Sequence, residues 1–311
     1  MYMKKLVVKC KNNKIKISKY ILNIFQNLHY SEFCKALRNK DIKINSKRIN
    51  KDIDVSNNDT IEIYLSDKIL YNLPKSINYI YEDENILVAY KPQGILSNNE
   101  YKDTINIEPT FEDLIKKDKN DVENNIHICH RLDRNTEGLI LFSKNSNSYS
   151  ELLKAFKLGY IEKEYIAYVA NSKFNKQSDT ISSYLLKDSQ NGISKIYEEN
   201  IKGSKNIITE YIVIKNYPKQ DFAKLNIKIH CGKTHQIRAQ FAYMHHPIIG
   251  DSKYGKNDIN KKFGIYKQLL FAYKYIFGLP KEYNLSYLNN IVLETKIPDY
   301  ENSLLKGGQN E

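Results

Sequence analysis

Long apolar runs are missing from this chain. The longest near its start is Leu6-Val7-Val8, and no stretch approaches the roughly 20 apolar residues of a membrane-spanning helix. A soluble protein is expected. Cysteine is scarce and scattered: Cys10, Cys34, Cys129 and Cys231 form no Cys-x-x-Cys pair, so neither a disulfide framework nor a zinc ribbon is indicated. A reducing cytoplasm fits that usage. His127, Cys129 and His130 lie together, as do His230, Cys231 and His235, but neither group supplies a closed ligand set, and no metal is expected. Internal repeats are absent as well.

Acidic residues are also in short supply, 36 against 48 basic ones. The net charge of +12 points toward a polyanionic partner such as nucleic acid, although a chain so crowded with Lys, Asn, Ile and Tyr owes part of its basicity to composition. The distribution helps decide. Residues 1–65 hold 14 Lys plus Arg and 6 Asp plus Glu, net +8, so the first fifth carries two thirds of the excess. At 311 residues, about two domains are expected.

Ile17, Ile21, Ile24, Phe25 and Leu28 recur at helical spacing, and a second helix is expected with Ser31 as its N-cap and Phe33, Cys34 and Leu37 inside. Asp41 to Ile44 alternates as a strand, Asn45-Ser46 turns, and Ile61, Ile63 and Leu65 alternate again after Asn57-Asn58-Asp59. Arg38, Lys40, Lys43, Lys47 and Arg48 cluster from the second helix through that hairpin, either as a solvated face or as a surface for phosphates. Residues 71–78, with Pro74, read as a linker. Ile86 to Tyr90 is the next strand, closed by Lys91-Pro92-Gln93-Gly94.

Tyr149, Leu152, Leu153 and Phe156 trace a helix ending at Gly159, and a strand follows through Lys163 to Val169. Asp221 to His230 alternates strictly, a half-exposed strand. Gly232-Lys233-Thr234 then opens a helix carrying Ile237, Phe241 and Met244. A phosphate-binding P-loop fails there, because its first glycine would fall on Ile227 within the strand. Residues 258–267 read as a variable loop, Leu269 to Tyr273 as a strand, and Gly307 to Glu311 as a frayed tail.

At the centre stands His130-Arg131-Leu132-Asp133-Arg134-Asn135-Thr136-Glu137-Gly138, running into the apolar strand Leu139 to Phe142. A carboxylate between Arg131 and Arg134 is favoured in its ionised form, and a loop on a rigid strand is a common place for reacting groups. A plain turn stabilised by an Asp side chain is the competing reading.

The His130-Arg131-Leu132-Asp133 stretch, with Thr136 and Gly138-Leu139, resembles the signature of the RluA family of pseudouridine synthases. Lys91-Pro92-Gln93-Gly94 resembles its first motif, Lys163-Glu164-Tyr165 its Lys-x-Tyr motif, and Gly232 to Arg238 its third. His245-His246-Pro247-Ile248-Ile249-Gly250-Asp251 and Tyr254-Gly255 continue the likeness. Residues 1–70 are similar to an alpha-L RNA-binding domain, with Ser46 where glycine is usual. The resemblance implies that Asp133 is the indispensable catalytic residue, that Arg238 pairs with it, and that Tyr165 lies under the target base and takes the final carbon-bound proton. Arg131 would fill the space the base vacates, and His130, Arg134, Thr136, Lys91, Lys163, His235 and Gln236 join the substrate-binding set. Glu137 replaces a small hydroxyl residue and is expected to face solvent.

The fold implied is α+β: a pseudouridine synthase catalytic domain, residues 79–305, with a mixed, largely antiparallel central sheet, preceded by a small α/β RNA-binding domain and followed by a tail at 306–311. The activity implied is isomerisation of uridine in large-subunit ribosomal RNA, without a cofactor, by a monomer. A transfer RNA target, a non-catalytic assembly protein on the same scaffold, and a nucleotide hydrolase are the alternatives.

Overall fold

The computed structural model describes residues 3–10, 14–99, 108–230 and 232–307. The chain forms two compact units, residues 1–77 with 94–114, and 78–93 with 115–311. Sequence periodicity gave no sign that 94–114 would group with the first unit.

The first unit holds β1 (Lys4–Val7), β2 (Lys14–Lys16), α1 (Ile17–Ile24), α2 (Tyr30–Arg38), β3 (Ile42–Ile44), β4 (Lys47–Arg48), β5 (Asp54–Ser56), β6 (Thr60–Ile63) and α3 (Asp67–Leu70). Ile17, Ile21, Phe25, Phe33 and Leu37 from the two helices and their ends close over Ile42, Ile61 and Ile63 of a four-stranded sheet ordered β1-β6-β3-β4. The helical spacing expected there holds for Ile17 and Ile21, but Ile24 is exposed, and Phe25 and Leu28 are buried beyond the end of α1. Asn45 and Ser46 both take positive φ, 46° and 67°, which turns β3 tightly into β4. Ser31 is not the N-cap: the helix starts at Tyr30, whose ring stacks on Phe33 at 6.1 Å, and Ser31 falls inside its first turn.

The second unit is built on one eleven-stranded sheet, entered through β7 (Asn78–Glu82) and β8 (Ile86–Lys91). After α4 (Phe111–Asp118) come β9 (His127–Ile128), β10 (Glu137–Ser143), α5 (Ser146–Leu158), β11 (Ile161–Ala170), β12 (Ser178–Asp188), β13 (Ile193–Tyr197), β14 (Lys205–Tyr217) and β15 (Phe222–Ile229). Then α6 (Gln236–Tyr243), α7 (Asn257–Phe263), β16 (Leu270–Phe277), a 3-10 turn at Asn284–Asn290, β17 (Leu293–Glu294) and α8 (Glu301–Gly307) complete it. The order is β13-β12-β14-β15-β11-β16-β10-β8-β7, with β17 on β16 and β9 on β10. Among the described pairs only β10 and β16 run parallel, so the sheet is mixed and largely antiparallel.

One face of the sheet buries Val88, Leu139, Leu141 and Tyr275 against Leu152 and Ala155 of α5. A second cluster packs Ile166, Tyr168, Phe222 and Phe271 with Phe263 of α7 and Leu304 of α8. Where β10 meets β16, a Cβ on Gly138 would lie 2.0 Å from the carbonyl oxygen of Ala272, and its φ is 126°. Glycine is obligatory there, and it fixes where the 130–136 loop ends and the strand begins.

Two expectations do not hold. Residues 258–267 are not simply a loop, since α7 occupies Asn257–Phe263, with Phe263 and Asn260 buried and Gly264 ending it in the left-handed conformation. Its lysines and asparagines hid that apolar side. The tail expected at 306–311 starts inside α8, which runs to Gly307, and its remaining residues, 308–311, lie outside the described residues.

Candidate active site

A cleft of about 390 Å³ opens beside the 130–136 loop, lined by Arg131, Asp133, Lys163, Tyr165, His235 and Arg238 among others. Separate elements bring these side chains together. Asp133 comes from the loop before β10, Lys163 and Tyr165 from alternate positions of β11, and His235 and Arg238 from the start of α6. The spacing of two along a strand puts Lys163 and Tyr165 on one face. The pairing of β11 with β16 shifts register between Glu164 and Tyr165, and such bulges re-aim side chains beside active sites.

Asp133 Oδ2 accepts from Arg238 Nη1 at 2.9 Å. The same guanidinium, only 4% exposed, donates through Nε and Nη2 to Asp251 at 2.7 and 3.0 Å, a bidentate clamp. Burial by itself would loosen the Arg238 proton, but the carboxylates of Asp251 and Asp133 more than offset it and raise the pKa. Burial likewise opposes the charge on Asp251. Hydrogen bonds from Arg238 and from the N–H groups of Tyr254 and Lys253 prevail, and its pKa falls. Asn260 of α7 donates to the Asp251 carbonyl at 3.3 Å and accepts from the Gly250 N–H at 2.8 Å, bracing that turn. The cation beside Asp133 is thus Arg238, contributed from 105 positions along the chain.

The loop is pinned from beneath. Lys91 is fully buried, and its Nζ donates to the carbonyls of Pro92 at 3.0 Å and Arg134 at 3.1 Å. Desolvation pulls its pKa down to about 7, with Asp133 and Glu137 opposing. Gln268 donates to Thr136 Oγ1 at 2.8 Å, and the Thr136 N–H donates to the Asp133 carbonyl at 3.0 Å.

Several residues expected to touch substrate also carry bonds of the fold, although His130, Thr136 and Gln236 line the cleft. Lys91, with no exposed surface, anchors the loop instead of meeting a phosphate. Thr136 and Gln236 are 3% and 2% exposed, and Gln236 Nε2 donates to the Ile208 carbonyl and to Thr209. His130 Nε2 accepts from the Leu141 N–H at 3.2 Å and lies 2.5 Å from the Tyr275 hydroxyl, so its ring serves the fold, and burial lowers its pKa well below 6.5. Glu137 does not face open solvent but accepts from the Tyr90 hydroxyl at 2.8 Å and is half-buried. Arg131 is exposed at the cleft, with Arg134 half-buried nearby.

Other groups at the cleft were not expected as site residues: Phe156, Lys157 and Lys233 line it, and behind it Asp251 and Tyr254 hold Arg238 and His235. Only the run through Asp251 and Tyr254-Gly255 in the third stretch of likeness signalled the last two. Of the second His/Cys group, Cys231 lies outside the described residues, and no group of three or more His, Cys, Asp or Glu among those described could hold a metal ion. No helix is long and apolar enough to cross a membrane among the described residues.

In the first unit Arg38, Lys40, Lys47 and Arg48 are exposed, while Lys43 is drawn to Tyr64 at 3.0 Å and Glu62 at 3.7 Å. The five are therefore not equivalent.

The RNA pseudouridylate synthase family model matches residues 85–243, which span β8, the Asp133 loop, β11 and α6. The chain is 30% identical to ribosomal large subunit pseudouridine synthase C of Rickettsia bellii, over 92% of this chain and 96% of that one. It is 32% identical to an RNA pseudouridine synthase of Mycoplasma capricolum, over 96% and 99%. In fold it is similar to human RNA pseudouridylate synthase domain containing 4, with a TM-score of 0.56 at 18% identity, covering 75% of this chain and 93% of that one. The motifs in order, the sheet that displays them and these likenesses agree, and the chain belongs to the RluA-type RNA pseudouridine synthases.

Proposed function

We propose that this enzyme isomerises uridine in large-subunit ribosomal RNA, with Asp133 as the reacting carboxylate, Arg238 as the cation that pairs with it and orients it, and Tyr165 as the surface beneath the base. The reaction breaks the bond from uracil nitrogen to ribose, turns the base over, and rejoins it through carbon 5, from which a proton leaves. One observation carries the reading: a carboxylate at the cleft whose Oδ2 is tied to a buried arginine, itself clamped by a second buried carboxylate. That arrangement sets a fixed positive charge beside Asp133 and limits its rotation.

Tyr165 is 5% exposed, and burial followed by the Asp133 charge raises its pKa, so the phenol stays neutral. A neutral phenol supports the ring by contact and can relay a proton only by giving up its own. The carboxylate of Asp133 is the stronger acceptor for the carbon-bound proton. The target nucleotide must leave its stack, because the reacting bond is otherwise shielded, and Arg131 at the rim fills the gap.

The ribosomal target is supported by relatives whose names carry it, in Rickettsia bellii and in Borreliella burgdorferi, where ribosomal large subunit pseudouridine synthase D is 34% identical over 60% of this chain. RNA is gripped by the first unit, through Arg38, Lys40, Lys47 and Arg48, and by Lys157, Lys163 and Lys233 at the cleft. The enzyme works as a cytoplasmic monomer. Mapping pseudouridines in total RNA from a strain lacking the gene tests the assignment: one or more should vanish from large-subunit ribosomal RNA, and loss confined to transfer RNA would replace the target.

A further inference from the structure

Asp133 presents two oxygens that are not alike. Oδ2 takes the Arg238 Nη1 hydrogen bond at 2.9 Å and faces His235 Nε2 at 3.9 Å, whereas Oδ1 takes no hydrogen bond among the described residues. What His235 offers to Oδ2 depends on which ring nitrogen carries its proton. Its Nδ1 lies 2.8 Å from the Tyr254 hydroxyl. That hydroxyl oxygen already accepts from the Ser194 backbone N–H at 2.5 Å. A phenol has one proton to give. If Nδ1 also donated to it, the Tyr254 hydroxyl proton would have only the Ser194 hydroxyl to turn to, a group already engaged with the Thr234 carbonyl. If the phenol donates to Nδ1, all three groups are satisfied, and the imidazole proton sits on Nε2.

Three fixed elements hold this arrangement. Ser194 belongs to β13, and its hydroxyl also donates to the Thr234 carbonyl at 2.8 Å, next to His235. Tyr254 lies against Arg238, whose guanidinium carbon stands 5.1 Å from its ring centre. His235 has a φ of 57°, the left-handed conformation, at the entry to α6. Its ring is not placed by helix geometry but by the turn and by Tyr254. Burial first, with Arg238 and Lys253 adding to it against Asp133 and Asp251, lowers its pKa to about 4, so the ring is neutral at physiological pH.

Resting on the reading that Asp133 is the reacting carboxylate, we infer that it acts on substrate through Oδ1, while Oδ2 is anchored by Arg238 and faces an Nε2–H of His235 whose tautomer is fixed by Tyr254 and the Ser194 backbone. His235 is then a positioning residue, a donor and not a base. Standing 3.9 Å from Oδ2, the ring keeps Oδ1, not Oδ2, turned to the reacting bond.

The test uses the full-length protein and deproteinised large-subunit ribosomal RNA. Nitrogen NMR of protein labelled at histidine should show His235 protonated at Nε2 in the wild type; protonation at Nδ1 would overturn the inference without any variant. Tyr254→Phe keeps the ring beside Arg238 and removes only the hydroxyl. It should release the tautomer and slow single-turnover conversion about tenfold, the effect of roughly one positioning hydrogen bond, with RNA affinity within about twofold. His235→Gln, which can still donate near the Nε2 position, should retain more activity than His235→Ala. Wild-type rates in Tyr254→Phe and His235→Ala would sink the idea. Asp133→Asn, run alongside, separates the failures: an inactive Asp133→Asn with unaffected Tyr254→Phe and His235→Ala removes this inference alone, and an active Asp133→Asn removes the reading beneath it.

Discussion

Basic side chains have opposite fates in the two units. In the first, Arg38, Lys40, Lys47 and Arg48 stand exposed, and Arg48 donates to the Lys40 carbonyl at 3.2 Å. In the second, Arg238 and Lys91 are 4% and 0% exposed and are spent on carboxylates and carbonyls around the Asp133 loop. An exposed cation in water gains little from any single partner and serves a polyanion through number. A buried one is defined by a few neighbours at fixed distances, and removing either partner leaves an uncompensated charge. The exposed group should therefore set how tightly RNA is held, and the buried group whether chemistry occurs.

The sharpest test of that division is Asp133→Asn. Size and most hydrogen bonding are kept while the charge goes, and single-turnover conversion should drop below about one-thousandth of wild type, with RNA affinity changed only a few fold. A folded Asp133→Asn protein converting uridine near the wild-type rate would end the catalytic assignment.

Arg238→Met should be nearly as severe and should also lower the melting temperature. It strands Asp251, 1% exposed, without its cation, an effect of about 3 to 5 kcal/mol for one partner of a buried pair. Arg238→Lys should not restore activity, because an ammonium cannot span Asp133 and both oxygens of Asp251. Recovery by lysine would mean that charge alone matters there.

Lys91→Met addresses the buried cation under the loop. The wild-type ammonium has its pKa lowered from 10.5 to about 7, so between those limits the unfolded chain binds more protons than the folded one. Stability contributed at this site therefore rises as pH increases from about 7 toward 10.5, and below about 7 the full burden of a buried charge is present. Melting curves across that range should show a rise in the wild type that flattens in Lys91→Met. Parallel curves would show that the ammonium is not desolvated as described.

The smallest effect on chemistry, and the largest on salt dependence, belongs to the exposed set. Replacing Arg38, Lys40, Lys47 and Arg48 by Gln should weaken RNA binding and lower the slope of log affinity against log salt by about 0.7 to 0.9 for each phosphate no longer neutralised. The rate at saturating RNA should hold. Lys43→Gln should change the slope less, since Tyr64 and Glu62 already engage that ammonium. Substitution is preferable to deleting residues 1–70, because Asn27 donates to the Gly94 carbonyl at 2.6 Å and deletion would strip that partner from 94–114. Unchanged slopes would place the phosphate grip elsewhere.

Much was legible in the sequence because it is governed by local rules. Apolar periodicity marked α1, α5, β10 and β15, Gly159 marked the end of α5, and the order of short motifs implied the family and with it the pairing of Asp133 with Arg238. Those features depend on neighbours within a few positions, or on a pattern of residue types that resemblance can read. What only the tertiary structure decided was the surroundings of each charge. Arg131 and Arg134 flank Asp133 in sequence, yet the cation on its oxygen comes from α6 and is itself held by Asp251. Lys91 sits in the right motif but is fully buried, whereas Thr136, Gln236 and His130 line the cleft while their polar groups bond within the fold. Tyr254 reaches the His235 ring from 19 positions ahead, and Ser194 of β13 reaches Tyr254 from 60 positions behind. Burial and hydrogen-bond partners are properties of how strands β8, β10, β11 and β16 and helix α6 converge, and sequence spacing carries no record of that convergence.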